Sequence, residues 1–122
     1  MSLPMKAKTD KITLLSNPEA LKILREYVER EREKTGAVPL IAQRVLDYLQ
    51  KFSKVPVEKA SEFREKLASL GLREESIVMI MNICPQTIDE LFTLLVFEEK
   101  TPEKENLEAI LSLVKEYCLQ SQ

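Results

Sequence analysis

Residues 74–95, EESIVMIMNICPQTIDELFTLL, decide the fold, because two helical patterns meet there at a sharp stop. The first half predicts a helix from Glu74, since its apolar residues recur at helical spacing. Pro85 ends that helix because proline cannot continue the hydrogen-bond ladder. Thr87 and Glu90 have the spacing of a capping box, which predicts a second helix starting there. The apolar residues of the two helices are Ile77, Ile80, Met81 and Cys84, then Ile88, Leu91, Phe92 and Leu95.

Turn and capping residues predict further helices on both sides of this pair. One begins at Asn17-Pro18 and stops at Gly36, another runs from Pro56 to Gly71, and the last begins at Thr101-Pro102. Short loops join most of these helices, so we predict an all-α bundle. The apolar residues are Leu21, Leu24 and Val28 in the first helix, Ala60, Phe63, Leu67 and Leu70 in the third, and Leu107, Ile110, Leu111, Val114 and Cys118 in the last.

The second helix, near residues 39–52, carries the cleanest amphipathic stripe in the chain. A stripe this wide is typical of a helix buried in a core, so we predict that it anchors the bundle. Its members are Ile41, Val45, Tyr48, Leu49 and Phe52.

Composition narrows the function. The chain has 122 residues, 44% hydrophobic and 31% charged, which predicts one folded unit rather than disorder. A net charge of −2 disfavours non-specific phosphate binding, and the absence of histidine removes the commonest general base and metal ligand. Adjacent carboxylates such as those of Asp89 and Glu90 stand at helix starts, where they complement the helix dipole. We therefore predict no catalytic residue, metal, cofactor or small-molecule substrate, and no membrane span.

The two cysteines, Cys84 and Cys118, form no CxxC motif, so neither a zinc site nor a redox motif is predicted. Two interpretations remain. The favoured one is a pair of small buried thiols, and the other is a single disulfide.

The N-terminal segment predicts a partner. Residues 12–15, ITLL, have the composition of a β-strand, but the chain offers no second strand to pair with it. Unpaired backbone groups are costly to bury, so addition to a partner's sheet is the economical solution. The narrow stripe of the first helix would continue the contact. The predicted partner-binding residues are Ile12, Leu14, Leu15, Leu21, Leu24 and Val28.

From Arg44 onward, the order of apolar stripes, helix stops and capping residues resembles that of a known family. Its strongest segment is Asn82-Ile83-Cys84-Pro85 followed by Thr87-Ile88-Asp89-Glu90-Leu91, preceded by the helix stop Leu70-Gly71-Leu72. Over about residues 10–118 the chain resembles the F subunit of archaeal RNA polymerase, the counterpart of the fourth subunit of eukaryotic RNA polymerase II.

The resemblance implies a strand and helix in residues 1–36, followed in residues 37–122 by a bundle like the helicase-and-RNase-D C-terminal (HRDC-like) domain. It also implies a heterodimer with the E subunit of the polymerase, which carries a nucleic-acid-binding barrel. The heterodimer would form a stalk near the RNA exit channel and assist open-complex formation, processivity and termination. Contact with RNA would be made mainly through the E subunit. The expected location is the cytoplasm. The family has no catalytic residues of its own. The alternative is an autonomous helical nucleic-acid-binding module of the helicase-associated type, which would show salt-sensitive affinity for nucleic acid.

Overall fold

A computed structural model describes residues 13–119, which form six α-helices and one short 3-10 helix. The part of the chain that it describes contains no β-strand, so the all-α prediction is confirmed there. The predicted N-terminal strand is not confirmed: Thr13, Leu14 and Leu15 have irregular backbone, and Ile12 lies outside the described residues. The helices are α1 (Asn17–Thr35), α2 (Leu40–Phe52), the 3-10 helix (Val57–Lys59), α3 (Ala60–Ala68), α4 (Glu74–Ile83), α5 (Ile88–Leu94) and α6 (Lys104–Tyr117).

The main hydrophobic core lies among α3, α4, α5 and α6. Phe63, Ile80, Leu91 and Ile110, one from each of these helices, have no exposed surface. The Phe63 ring stacks on that of Tyr117 with ring centroids 5.0 Å apart, which joins α3 to the end of α6. The apolar positions predicted for α3, α4 and α6 therefore form this core.

A second, smaller hydrophobic cluster joins α1 to α2. Its fully buried members are Leu21 and Val28 of α1 and Leu46 and Leu49 of α2, and Leu24 packs against them while partly buried. The apolar clusters thus divide the chain after α2, so that α1 and α2 form a helical hairpin beside the bundle.

A polar contact set ties this hairpin to the bundle. The Arg64 guanidinium on α3 lies 2.7 Å from Glu19 of α1 and 2.8 Å from Glu74 of α4. The backbone N–H of Asn17 donates to the Asn82 side-chain oxygen of α4 at 2.7 Å. Three helices therefore meet at one arginine, because its planar fork can bind two carboxylates at once.

The helix ends follow the capping signals with several shifts: a 3-10 helix follows Pro56 before α3 begins, and the N-cap of α6 is Glu103 instead of Thr101. The N-cap of α1 is Ser16, one residue before the predicted Asn17, and the Glu19 carboxylate accepts from the Ser16 N–H. Thr87 caps α5 as predicted, its hydroxyl accepting from the Glu90 N–H at 3.1 Å. The Glu90 carboxylate, however, accepts from the N–H of Gln86, one residue further back than a capping box requires.

Helix α5 is less buried than its pattern predicts. Leu91, Leu94 and Leu95 lie in the core, but Ile88 and Phe92 are exposed. The prediction that Ile88 and Phe92 face the core is therefore wrong. The neighbours α4 and α6 cover the side that carries Leu91, and the side with Ile88 and Phe92 is left uncovered.

The favoured interpretation of the cysteines is also wrong, since Cys84 and Cys118 form a disulfide. Both are buried, as expected for small apolar side chains. Cys84 follows α4 in a left-handed conformation (φ 53°), and Cys118 follows α6. The spacing of the two cysteines in the sequence does not predict this bond, because their proximity depends on how α4 and α6 pack. The bond fastens the C-terminal helix to the bundle.

Replacing both cysteines, Cys84→Ser with Cys118→Ser, should lower the free energy of unfolding by about 3–4 kcal/mol, because the bond closes a long loop in the unfolded chain. The two cysteines are 34 positions apart. Urea unfolding with and without dithiothreitol measures the effect. The reductant should destabilise the wild type by the same amount and leave the double variant unchanged; equal stability of oxidised and reduced wild type would contradict the role given to this bond.

Thr87→Ala should cost about 1 kcal/mol of stability through loss of the N-cap of α5. Thr87→Ser is the matched control, because it keeps the accepting hydroxyl and should retain most of the stability. If the alanine and serine variants melt alike in urea, the hydroxyl does not stabilise α5.

Candidate protein-interaction surface

The main apolar surface feature of the hairpin is the outer side of α2, called here the α2 face. Tyr48 is 58% exposed, Phe52 is 47% exposed and Ile41 is 69% exposed. The prediction that this stripe anchors the bundle is therefore wrong, and of its members Leu49 alone is buried. The α2 face consists of Leu40, Ile41, Val45, Tyr48 and Phe52.

The helix geometry explains the error. Ile41, Val45, Tyr48 and Phe52 form one row along α2, and Ala42, Leu46 and Leu49 form a second row about 100° around the helix axis. The second row packs against α1. From the sequence both rows merge into one wide apolar stripe, and nothing in the pattern says which row faces inward. The sequence pattern therefore does not show that α2 carries two apolar rows and that α1 covers one of them.

The aromatic end of the α2 face is organised within the chain. The Tyr48 and Phe52 rings lie 4.7 Å apart between centroids at a tilt of 44°. The Lys51 ammonium lies 5.6 Å from the centroid of the Phe52 ring, within the range of a cation–π contact. Rings that are already positioned lose little side-chain entropy on binding, a property of residues that dominate protein interfaces.

The six predicted partner-binding residues are divided by the structure. Leu14 and Leu15 are exposed just before α1, and Ile12 lies outside the described residues. Leu21, Leu24 and Val28, in contrast, pack against α2 inside the hairpin. Their apolar surface is used within the chain, and their contact with a partner stays a prediction. Periodicity identified them as a contact surface but could not identify what they contact.

In each pair of carboxylates that stand next to each other in sequence, at least one has a structural partner. Glu74 binds Arg64, Glu90 caps α5, and Glu98 accepts from the Ser76 hydroxyl at 2.5 Å and from the Arg73 N–H at 2.9 Å. Each of these contacts joins two elements or caps the start of a helix. In residues 13–119 no group of three or more His, Cys, Asp or Glu side chains is arranged to hold a metal ion.

One cluster of titratable groups joins α3 to α6. The Tyr117 hydroxyl donates to the Glu62 carboxylate, which lowers the pKa of Glu62 and raises the pKa of Tyr117. Hydrogen bonding with Tyr117 also raises the pKa of Lys66, whose ammonium lies 3.7 Å from Glu62. Both shifts at Glu62 and Lys66 favour the charged forms, as expected for an ion pair that supports the packing of α6.

None of the helices within residues 13–119 combines the length and the apolar character needed to cross a bilayer.

Comparison with known proteins gives one consistent family. A family model described as RNA polymerase Rpb4 matches residues 14–118. A DNA-directed RNA polymerase subunit Rpo4 from Methanocaldococcus jannaschii is 42% identical over 72 residues, which is 59% of this chain and 60% of that relative, less than two thirds of its length. The Rpo4 subunit of Saccharolobus solfataricus is 31% identical over 69% of this chain and 75% of its own length. That of Sulfolobus acidocaldarius is 28% identical over 78% and 83%.

The two rows of α2 should respond differently to truncation. Phe52→Ala should change the free energy of unfolding of the isolated chain by less than about 1 kcal/mol, because an exposed ring leaves no cavity. Leu49→Ala, the matched control three residues away, should cost about 2–5 kcal/mol, since it empties a site in the hairpin core. Urea unfolding of both variants tests the assignment; a larger loss for Phe52→Ala than for Leu49→Ala would mean that the rows are reversed.

Proposed function

The chain belongs to the RNA polymerase Rpb4 family, and we propose that it is a non-catalytic subunit of an archaeal DNA-directed RNA polymerase that acts by protein–protein contact. The observation that carries the proposal is the α2 face. It presents an unbroken apolar row with two aromatic rings on a short, internally braced hairpin. Apolar side chains left in water at helical spacing are typical of a surface that a partner covers.

The proposed partner is the E subunit of the polymerase, with which the chain would form a heterodimer. An obligate interface resembles a hydrophobic core divided between two chains, and the α2 face has that character. Its aromatic residues supply the large, rigid anchors that commonly dominate binding energy. Leu14 and Leu15, exposed immediately before α1, would add to the same partner as an extended segment, gaining the strand pairing that the isolated chain lacks.

This proposal enlarges the partner-binding unit beyond residues 1–36. Since α2 shares its core with α1, the unit would comprise the N-terminal segment and the whole hairpin. The remaining helices, with their own core, would form the HRDC-like domain that the family resemblance implies for residues 37–122. The Arg64 contacts would hold that domain at a fixed position relative to the heterodimer interface.

Within the polymerase the heterodimer would form a stalk near the RNA exit channel, in the cytoplasm, and assist open-complex formation, processivity and termination. The chain's net charge of −2 supports a division of labour in which the E subunit makes most of the contact with RNA. This chain would then contribute a scaffold and the link to the polymerase core through its partner.

Phe52→Ser should weaken binding of the E subunit by at least tenfold, about 1.4 kcal/mol, because it removes an aromatic anchor from the interface. The matched control is Phe92→Ser on α5, since that ring is exposed to a similar degree (51% against 47%). Isothermal titration of the purified E subunit into each variant measures the affinity, and deleting residues 1–16 should also lower it at least tenfold.

Equal affinities of wild type and Phe52→Ser would exclude the α2 face from the interface. The same preparations allow a filter-binding assay with single-stranded RNA at low and high salt. Strong, salt-sensitive binding by the isolated chain would instead favour an autonomous nucleic-acid-binding module.

A further inference from the structure

A second exposed apolar surface lies on α5 and the turn that follows it, and it is called here the α5 face. Val96 is 73% exposed and Phe92 is 51% exposed, and both are large side chains. Ile88 and Phe92 are four residues apart on α5 and lie on one side of it, and Val96 and Phe97 follow in the turn after Leu94. The α5 face consists of Ile88, Phe92, Val96 and Phe97.

The α5 face takes no part in the core. The core side of this segment is formed by Leu91, Leu94 and Leu95, which are buried against the bundle. Helix α5 packs on α4 and α6, whereas α2 packs on α1. The α5 face and the α2 face therefore belong to helices that pack in different parts of the chain, and each carries its own proposal.

The stretch of sequence that contains the α5 face is acidic. Residues 88–105 contain six carboxylates and two lysines, a net charge of −4, whereas the whole chain has a net charge of −2. Glu90 and Glu98 are engaged in hydrogen bonds within the chain. Asp89, Glu99 and Glu103 are exposed. The exposed apolar residues of the α5 face thus belong to an acidic stretch of the chain, with Asp89 next to Ile88.

This charge distribution selects among possible occupants. Nucleic acid is disfavoured because its phosphates would meet like charge. A second copy of the chain is disfavoured for the same reason, since a symmetric contact would bring two acidic segments together. A basic amphipathic polypeptide is favoured for two reasons. Its apolar side chains would cover the exposed apolar residues, and its lysines or arginines would face the carboxylates.

We propose that the α5 face docks a basic amphipathic segment of another polypeptide. Ile88 and Phe92 lie about 6 Å apart along the helix axis, the separation of one turn. A helical segment with apolar residues on one side can cover Ile88 and Phe92 together with the apolar turn that follows, and basic residues on its flanks meet the neighbouring carboxylates. Apolar burial supplies affinity, while charge supplies orientation and a faster encounter.

The probes are two synthetic amphipathic peptides of identical length and apolar pattern, one with lysine and one with glutamate at every polar position. Fluorescence anisotropy with the full chain, at low and at high salt, gives the affinities. The lysine peptide should bind at least tenfold more tightly than the glutamate peptide, and high salt should reduce the difference. Phe92→Ser with Val96→Ser should weaken the lysine peptide at least tenfold, whereas Phe52→Ser on the α2 face should leave its affinity unchanged.

Three results would overturn the proposal. One is equal binding of the two peptides, and another is an equal loss of binding in Phe52→Ser, because either would show non-specific adhesion. The third is self-association of the wild type, seen by sedimentation equilibrium and abolished by Phe92→Ser, which would make the occupant a second copy.

Titration with the E subunit separates this proposal from the proposed function. The double variant Phe92→Ser with Val96→Ser should keep its affinity for that partner. A loss of that affinity would make the α5 face part of the heterodimer interface and overturn the present inference while leaving the polymerase role intact. Undiminished heterodimer formation by Phe52→Ser would overturn the role of the α2 face and leave the α5 face untouched.

Discussion

Helix α2 carries two adjacent apolar rows, and α1 covers one of them. The stability of the hairpin and its capacity to bind a partner both depend on this imbalance. The covered row, with Leu46 and Leu49, gives the hairpin a core of a few side chains. The uncovered row leaves Tyr48 and Phe52 about half exposed, and burying the rest of each ring would stabilise a complex by roughly 1 kcal/mol. A partner that covers this row only in the folded chain would stabilise the hairpin further by mass action.

A core as small as that of the hairpin needs support from the rest of the chain. Arg64 supplies it by binding Glu19 on α1 and Glu74 on α4, and Asn82 supplies it by accepting from the backbone at Asn17. These groups are partly buried, so solvent screens them less than surface ion pairs. The disulfide just after α4 fastens α6 to the bundle covalently. The proposed interaction surface therefore belongs to a hairpin whose N-terminal end is held by α3 and α4.

Local signals in the sequence are sufficient to predict the helices, because capping residues, glycines and prolines act over a few positions. Gly36 and Gly71 adopt the left-handed conformation that stops a helix, and Thr87 caps α5 as expected. The direction in which each apolar row faces depends on tertiary packing and was predicted less well. Phe63 and Leu67 on α3 are buried as expected, since the other helices of the bundle surround that row. Phe52 and Phe92 are exposed, because no pattern within one helix states how much of its apolar surface its neighbours can cover.

The candidate interaction surface shows the same limit. An interacting module was predicted from the unpaired N-terminal segment, and Leu14 and Leu15 are indeed exposed. The α2 face was missed because an apolar helix row has the same pattern whether its own chain or another chain buries it. The disulfide was not favoured because Cys84 and Cys118 come together only through the packing of α4 and α6.

Hydroxyl-radical footprinting of the isolated chain and of its complex with the E subunit tests the central claim most directly, because it reports side-chain exposure residue by residue. The account predicts that Tyr48 and Phe52 are modified readily in the isolated chain and are protected in the complex, while Phe63 stays unreactive in both. Protection of Tyr48 and Phe52 already in the isolated chain, or unchanged reactivity of both after the heterodimer forms, would contradict it.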